Sequence, residues 1–554
     1  MDPREQESAD SESSPISSRN NNSQPSSIDN DNDTNMTSSN NTISKSSMDI
    51  DDDNSSDDDD DLVLSNNKNN KKSNHKQKSS SPSQSQSQSA NNGKSSSQSQ
   101  SEEFDVEITE EDYESIAIMI DELMKDDPAV RIKAIRSLPI ISKALGEDRT
   151  RNELIPYITQ MIDDDDEVLL VLIEEIYRLL TLKLIGGKHV ENNQYSYCLI
   201  PPFERLCQVE EKIIRDEATS KFGKIIYDMP YREYVNYFDQ YVLPLFKRLC
   251  DCDWHTARIS GATLIANAFS KFVKLLNEEK ERQKEDDMEI DENKDNNDND
   301  KEQETVIVRL ERYKTEMLHL LTELCSDSIP IVRRSAIITL GKMVSCLTSS
   351  DEVLNNYLPL FKKLSMDDQD NVRVFAIETL IQFSHIFNTK QVKDQLLYHI
   401  RLLALDQAWR VRYIAADNFI NLCKMLDKET IKESMVNYFL RLLEDQEPEV
   451  RAVAISKIPG ISKLIGIKLS ISKLIPIISQ RLITDNNKYA RASLASIIIP
   501  FCYLLPHQIV IDKILSCILK ILKDEYPNVR LHVISNICQD DDDDDQEQDL
   551  MDED

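Results

Sequence analysis

The stretch Asp406-Gln407-Ala408-Trp409-Arg410-Val411-Arg412-Tyr413-Ile414-Ala415-Ala416-Asp417-Asn418-Phe419 joins an acidic turn to a Val-Arg pair, then to small and apolar residues at helical spacing. Variants of it return along the chain. Aligned copies place Arg131, Arg215, Arg258, Arg333, Arg373, Arg412, Arg451, Arg491 and Arg530 at one register position, and a tenth copy has Leu169 there. The steps between copies are 38, 46, 43, 75, 40, 39, 39, 40 and 39 residues. A helical pattern repeating near every 40 residues constrains the chain more than any other feature. One such unit cannot bury its apolar face alone, so the units must stack.

The period predicts an all-α fold, a HEAT-repeat α-solenoid of about ten helix pairs. The second helix of each pair is legible in its apolar positions, as in Val332, Ala336, Ile337 and Leu340. Offsets of 0, 4, 5 and 8 lie on one stripe of a 3.6-residue helix. Six residues before the register position there is often an Asp: Asp163, Asp327, Asp367, Asp406, Asp445, Asp485 and Asp524. Stacked turns lie side by side. Asp327, Arg333, Asp367, Arg373, Asp406, Arg412, Asp445, Arg451, Asp485, Arg491, Asp524 and Arg530 are therefore expected to form a structural ladder of charge-assisted hydrogen bonds. Pro156, Pro202, Pro244, Pro359 and Pro476 stand 13 to 15 residues before the register position, inside the first helix of their units. Proline there removes a backbone bond and predicts a bend in each rod.

The net charge of −34 belongs to three segments. Residues 1–112 carry −15, residues 278–304 carry −9 and residues 540–554 carry −11, leaving the helical body at +1. The body lacks the basic excess of a general nucleic-acid binder. Residues 1–112 are rich in Ser, Asn and Asp and cannot bury enough apolar surface to offset ordering, so a disordered tail is expected. Lys68 to Lys78 is weakly basic and reads as linker or nuclear signal. Repeats 1–4 follow over 113–276 and repeats 5–10 over 306–538. The 75-residue step places a disordered acidic insertion at 277–305 between them, and an acidic tail occupies 539–554. No signal peptide opens the chain, and no apolar run reaches the roughly 20 residues of a membrane helix. A soluble intracellular chain is expected, cytoplasmic, with a nuclear location open.

No phosphate-binding loop, dinucleotide fingerprint or H-E-x-x-H motif is present, and the eight His sit singly. Cys250-x-Cys252 with His255 has no second pair at zinc spacing and reads as packed thiols. The expectation is a binding protein with no catalytic residues, no metal and no cofactor. Trp254 and Trp409 sit in turns joining the two helices of a unit. Each reads either as a contact residue or as a cover over the neighbouring turn.

The turn Asp406 to Tyr413 resembles the seventh repeat of the scaffold (A) subunit of type 2A serine/threonine protein phosphatases. Further stretches resemble that family in order. Among them are Ile120-Asp121-Glu122-Leu123, Ala144 to Arg151, Asp164 to Leu170, Leu199 to Glu204, the Trp254 turn, Leu324 to Ala336, Glu449 to Ala452 and Leu522 to Leu531. The motifs run over 115–538 apart from the insertion. The resemblance implies a horseshoe of HEAT repeats whose earlier turns bind regulatory (B-type) subunits and whose last five repeats bind a catalytic subunit. Such a scaffold sets substrate choice through effective concentration. Residue by residue, it implies partner contacts at Trp254, His255, Pro330, Ile331, Arg334 and Trp409. His255 stands where the family has an aromatic, and Ser328 where it has an acidic residue. As a chain of ten repeats, the protein is expected to hold the regulatory-subunit half and lack the usual catalytic-subunit half. The implied function is a non-catalytic subunit that modulates protein dephosphorylation, scaffold-like or resembling the large subunit of the type 4 enzyme. Its partners would be B-type subunits, a catalytic subunit, or both, with no nucleic acid and no membrane. The alternatives are a nuclear transport receptor, also a HEAT array with acidic segments, and a general HEAT-repeat adaptor.

Overall fold

The computed structural model describes residues 110–186, 194–231, 237–289 and 298–538. The expected tails, from 1 to 109 and from 539 to 554, lie outside the described residues, as does 290–297 of the insertion. The described residues form helices and turns, with no strand among them. Ten helix pairs follow one another in an all-α HEAT solenoid, beginning at the helix Glu110–Glu122, slightly before the expected start.

Each turn sets its second helix in a similar way. Proline occupies the first position of Pro128–Arg136, Pro330–Ser345, Pro448–Ser456 and Pro527–Cys538. Its fixed φ suits a helix start, and its missing N–H would have no partner there. The turn Asp adds its own bonds: Asp367 Oδ1 accepts from the backbone N–H of Gln369 at 3.0 Å, and Asp406 Oδ1 from that of Ala408 at 2.8 Å. The second helices then pack on one another in sequence, joining Pro330–Ser345 to Asp370–Ser384 and Pro448–Ser456 to Lys488–Cys502. Their apolar stripes merge into one continuous core, to which Val332, Ile337, Ile377, Leu380 and Ile455 each contribute a fully buried side chain. Each such side chain contributes roughly 1.5–3 kcal/mol of transfer free energy.

The first helices differ from expectation in an instructive way. In four of the five units that carry the proline, a wide π-turn stands just before it, at Thr150–Leu154, Phe238–Val242, Val353–Tyr357 and Ser470–Leu474. Widening the turn gives the proline ring room from the carbonyl it would otherwise strike. Pro202 follows a 3₁₀ turn instead, Ser196–Leu199. Two units without the proline also contain the π-turn, at Ile431–Met435 and Val510–Ile514. The first helices Glu110–Glu122, Asp298–Leu324 and Thr389–Ala404 have neither. The π-turn therefore does not require the proline, and the proline at Pro202 does not require the π-turn.

A second difference concerns the insertion. Residues 277–289 prolong the helix His255–Glu289, and 298–305 open the helix Asp298–Leu324. Composition suggested a structureless loop because apolar residues are scarce. Glu, Lys, Arg and Gln nevertheless favour helix, and the two helices pack on each other. Ion pairs support the extension: Lys280 reaches Glu311 at 2.9 Å and Arg282 reaches Glu279 at 3.3 Å. His255–Lys284 is long and apolar enough to cross a membrane by length and composition, but most of that window is buried in the stack.

Candidate functional site: the ridge of turns

The ladder forms, and it sets the turns into one row. Arg333 donates through Nε and Nη2 to Asp367 at 2.6 and 2.8 Å, while Nη1 holds the carbonyls of its own turn, Asp327 and Ser328. The same arrangement joins Arg258 to Asp327, Arg373 to Asp406, Arg412 to Asp445, Arg451 to Asp485 and Arg491 to Asp524. Each guanidinium therefore staples its own turn and the next one with a planar fork. Burial opposes ionisation of Asp367, but the bonds from Arg333 and the Gln369 N–H outweigh it and hold the carboxyl below its usual value. Asp524 is held low in the same way by Arg491.

The first units depart from this scheme. Arg131 pairs with Asp164 at 2.5 Å and Asp165 at 2.9 Å, whereas the expected Asp163 is exposed and pairs with Arg205. The rungs later in the chain span 33 or 34 residues, and that spacing from Arg131 selects Asp164 or Asp165. Among the described residues, Arg215 holds only the carbonyls of its own turn, Val209 and Glu210, and its buried Nε has no hydrogen bond. Cys252 occupies the place where the next Asp would stand. Arg530 binds the carbonyls of Asp524 and Glu525 with no carboxylate beyond, among the described residues.

Upon this row stand the residues singled out from the sequence. Trp254 is 71% exposed and His255 is exposed beside it. The next turn is locked to theirs by the Arg258–Asp327 rung and presents Ile329 with half-buried Pro330 and Ile331. Arg334 lies over the ring of Phe375 from the following unit, 5.8 Å from its centroid. Trp409 is 40% exposed and meets Tyr413 edge-on at 6.4 Å, with Arg410 near its ring. Trp254 is thus largely open to solvent, whereas Trp409 rests partly against Tyr413 of its own helix. One unit separates the Trp409 turn from the pair formed by the Trp254 and Pro330 turns.

Sequence reading missed the continuation of this ridge. Tyr489 and Tyr526 are exposed in the last two turns. Lys488 bridges their rings at 5.1 and 5.5 Å, and Arg491 lies 5.5 Å from the Tyr526 centroid. Their signal was the same as that of Trp409, an aromatic two to four residues before the register Arg. Among the described residues, no group of three or more His, Cys, Asp and Glu could hold a metal. Burial pushes the Cys250 thiol to about 12. What the ridge offers is a row of exposed aromatic, apolar and cationic side chains on a rigid backbone.

Such a fold and ridge define an all-α helical-repeat protein of the HEAT kind. The PPP2R1A-like HEAT repeat family matches residues 428–506. Curated homologues are scaffold-type regulatory subunits of protein phosphatase 2A, the A subunits. The chain is 31% identical to the regulatory A subunit of protein phosphatase PP2A from Schizosaccharomyces pombe over 287 residues, covering 52% of this chain and 40% of that protein. It is 33% identical over 235 residues to the alpha isoform of the 65 kDa regulatory A subunit of serine/threonine-protein phosphatase 2A from Arabidopsis thaliana, covering 42% and 32%. The chain thus spans less than half the length of these relatives, and the aligned lengths are shorter than the 115–538 span of the motifs. Among solved structures, Kap95p in its complex with RanGDP is similar at 15% identity with a TM-score of 0.50, covering 77% of this chain and 51% of that one. That likeness concerns the fold alone.

Proposed function

We propose that this chain is a scaffold or regulatory subunit of a type 2A-like serine/threonine phosphatase complex. It binds partner subunits through the ridge of turns and thereby modulates dephosphorylation of proteins. The observation that carries the reading is the exposure of Trp254 on a ladder-fixed turn, in a chain whose homologues are regulatory A subunits of phosphatase 2A. A large aromatic held rigid at little entropy cost makes a good interface anchor. The partners fitting this reading are B-type regulatory subunits, a catalytic subunit, or both. The transport-receptor alternative has only a shared fold behind it.

The test is a binding assay of the full chain with purified type 2A catalytic and B-type subunits, beside a Trp254→Ala/Trp409→Ala variant. Binding by the wild type, weakened roughly tenfold or more in the variant, is the expected outcome, since hot-spot truncations cost about 2 kcal/mol or more. Binding of only the B-type subunit would make the chain a competitor of full-length scaffolds. Failure to bind either would remove the phosphatase reading.

A further inference from the structure

The rungs from Arg258 to Arg491 share one anatomy. The register Arg holds carbonyls of its own turn through Nη1, and its Nε edge meets the carboxylate of the next turn. Arg373 thus holds Asp367 and Asp368 carbonyls and donates through Nε to Asp406 at 2.7 Å. The rung Asp is anchored in turn by the Arg of its own unit, as Arg412 Nη1 holds the Asp406 carbonyl at 2.8 Å. The joint between the third and fourth units keeps both anchors and changes the acceptor. Arg215 Nη1 holds the carbonyls of Val209 and Glu210 at 3.0 and 2.7 Å. Arg258 Nη1 holds the carbonyl of Cys252 at 2.7 Å, so Cys252 takes the backbone place of a rung Asp. Thr256 Oγ1 donates to the Gln208 carbonyl at 3.0 Å, which sets the two turns side by side. The fork of Arg215 therefore faces Cys252. Arg215 is 8% exposed, and its buried Nε has no hydrogen bond. A buried guanidinium without its anion is costly. Cys252 is a free, half-buried thiol.

We propose that Cys252 is an oxidation site whose sulfinate completes this rung. The oxidant is hydrogen peroxide, consumed in two successive steps. In the first, the sulfur attacks a peroxide oxygen, the O–O bond breaks, and the thiol becomes a sulfenic acid with release of water. In the second, the sulfenic sulfur attacks another peroxide, water again leaves, and the sulfinic acid gives its proton to solvent. Each step takes two electrons from sulfur and reduces one peroxide. The sulfinate spreads a negative charge over two oxygens that stand as many bonds from Cα as those of an aspartate. It thus supplies the acceptor that the Arg215 fork meets in the later rungs as a carboxylate. Arg258 already ties this turn to the following one through Asp327, so the closed rung fixes the Trp254 turn from both sides. Other thiols provide the contrast. Burial pushes those of Cys207, Cys250 and Cys325 up to about 12, and the thiolate is the reactive form. The inference concerns the inside of the ladder and does not depend on the phosphatase reading.

The test exposes the full chain to graded hydrogen peroxide. Peptide mass spectrometry reads the cysteines, and hydrogen exchange reads the first turns of Lys212–Asp228 and His255–Glu289. Cys252 is expected to gain two oxygens at concentrations that leave Cys207 and Cys325 as thiols. Exchange in those first turns should then slow about tenfold, the scale of a hydrogen bond to a charged group. Arg215→Gln gains the oxygens without the slowing. Cys252→Asp, which leaves Arg215 in place, shows the slowed exchange before any peroxide, and peroxide adds nothing to it. Cys252 persisting as a thiol, or oxidised with exchange unchanged, overturns the proposal. So does slowing that survives in Arg215→Gln, or Cys252→Asp exchanging as fast as the untreated chain. A disulfide between Cys250 and Cys252 in place of the sulfinate overturns it in favour of thiol pairing.

Discussion

Arg412 makes four hydrogen bonds, two to carbonyls of its own turn and two to Asp445 of the next, all between 2.6 and 2.9 Å. Its side chain is 15% exposed and that of Asp445 is 7% exposed, so water replaces these bonds poorly. Arg412→Ala is expected to cost about 2–3 kcal/mol, since it strands a carboxylate and two carbonyls. Denaturant titration reads this directly, and a change within experimental error would show that the rung is ornamental. His399 supplies a pH dependence. Its ring is buried, with Nδ1 2.8 Å from Ser365 Oγ, and burial first, then Lys362, lowers its pKa from 6.5. The unfolded chain therefore binds the proton more readily. The stability contributed by neutral His399 is present above 6.5 and is lost as pH falls through the lower folded value. Urea midpoints between about pH 8 and 5 should fall with acidity, and His399→Gln should flatten that slope. Asp367, whose folded value lies below 3.8, adds a loss only in stronger acid.

At the scale of the element, two helix ends show what a single backbone position decides. Leu138–Leu145 and Ile458–Ile465 end at Gly146 and Gly466, with φ of 79° and 83° and ψ of 168° and 163°. Their N–H groups close on Ser142 and Ser462. This corner of backbone space belongs almost solely to glycine. Gly466→Ala is expected to cost roughly 1–3 kcal/mol, although no atom lies within 4 Å of the added Cβ. A loss of melting temperature would confirm conformational strain. An unchanged melting temperature would show that the turn relaxes freely.

For the whole molecule, nearest-neighbour stacking sets how damage spreads. Leu380 is fully buried in the joint between units. Leu380→Ala should cost about 2–5 kcal/mol. In a one-dimensional array the loss concentrates on the two adjoining units. Hydrogen exchange should rise first in Pro330–Ser345, Asp370–Ser384 and Trp409–Asp417, leaving Asp166–Thr181 protected. Equal loss of protection along the whole stack would instead mark it as a single cooperative body.

Much of this architecture is legible in the chain because it is local and repeated. The spacing of Val, Ala, Ile and Leu specifies each second helix, and the recurring Asp and Arg specify the rungs from Asp327 to Asp524. Trp254 could be placed on a turn from its distance to Arg258 alone. Other features were decided only by tertiary packing. Asp163 and Asp164 look alike as letters, and the position of Arg131 chooses between them. The π-turns appear in units with and without proline, so proline alone does not specify them. Residues 277–289 continue a helix whose Lys280 meets Glu311 of Asp298–Leu324, a contact between distant segments that composition does not register. Period and pattern act within one unit, whereas these choices depend on what the adjacent unit places beside it.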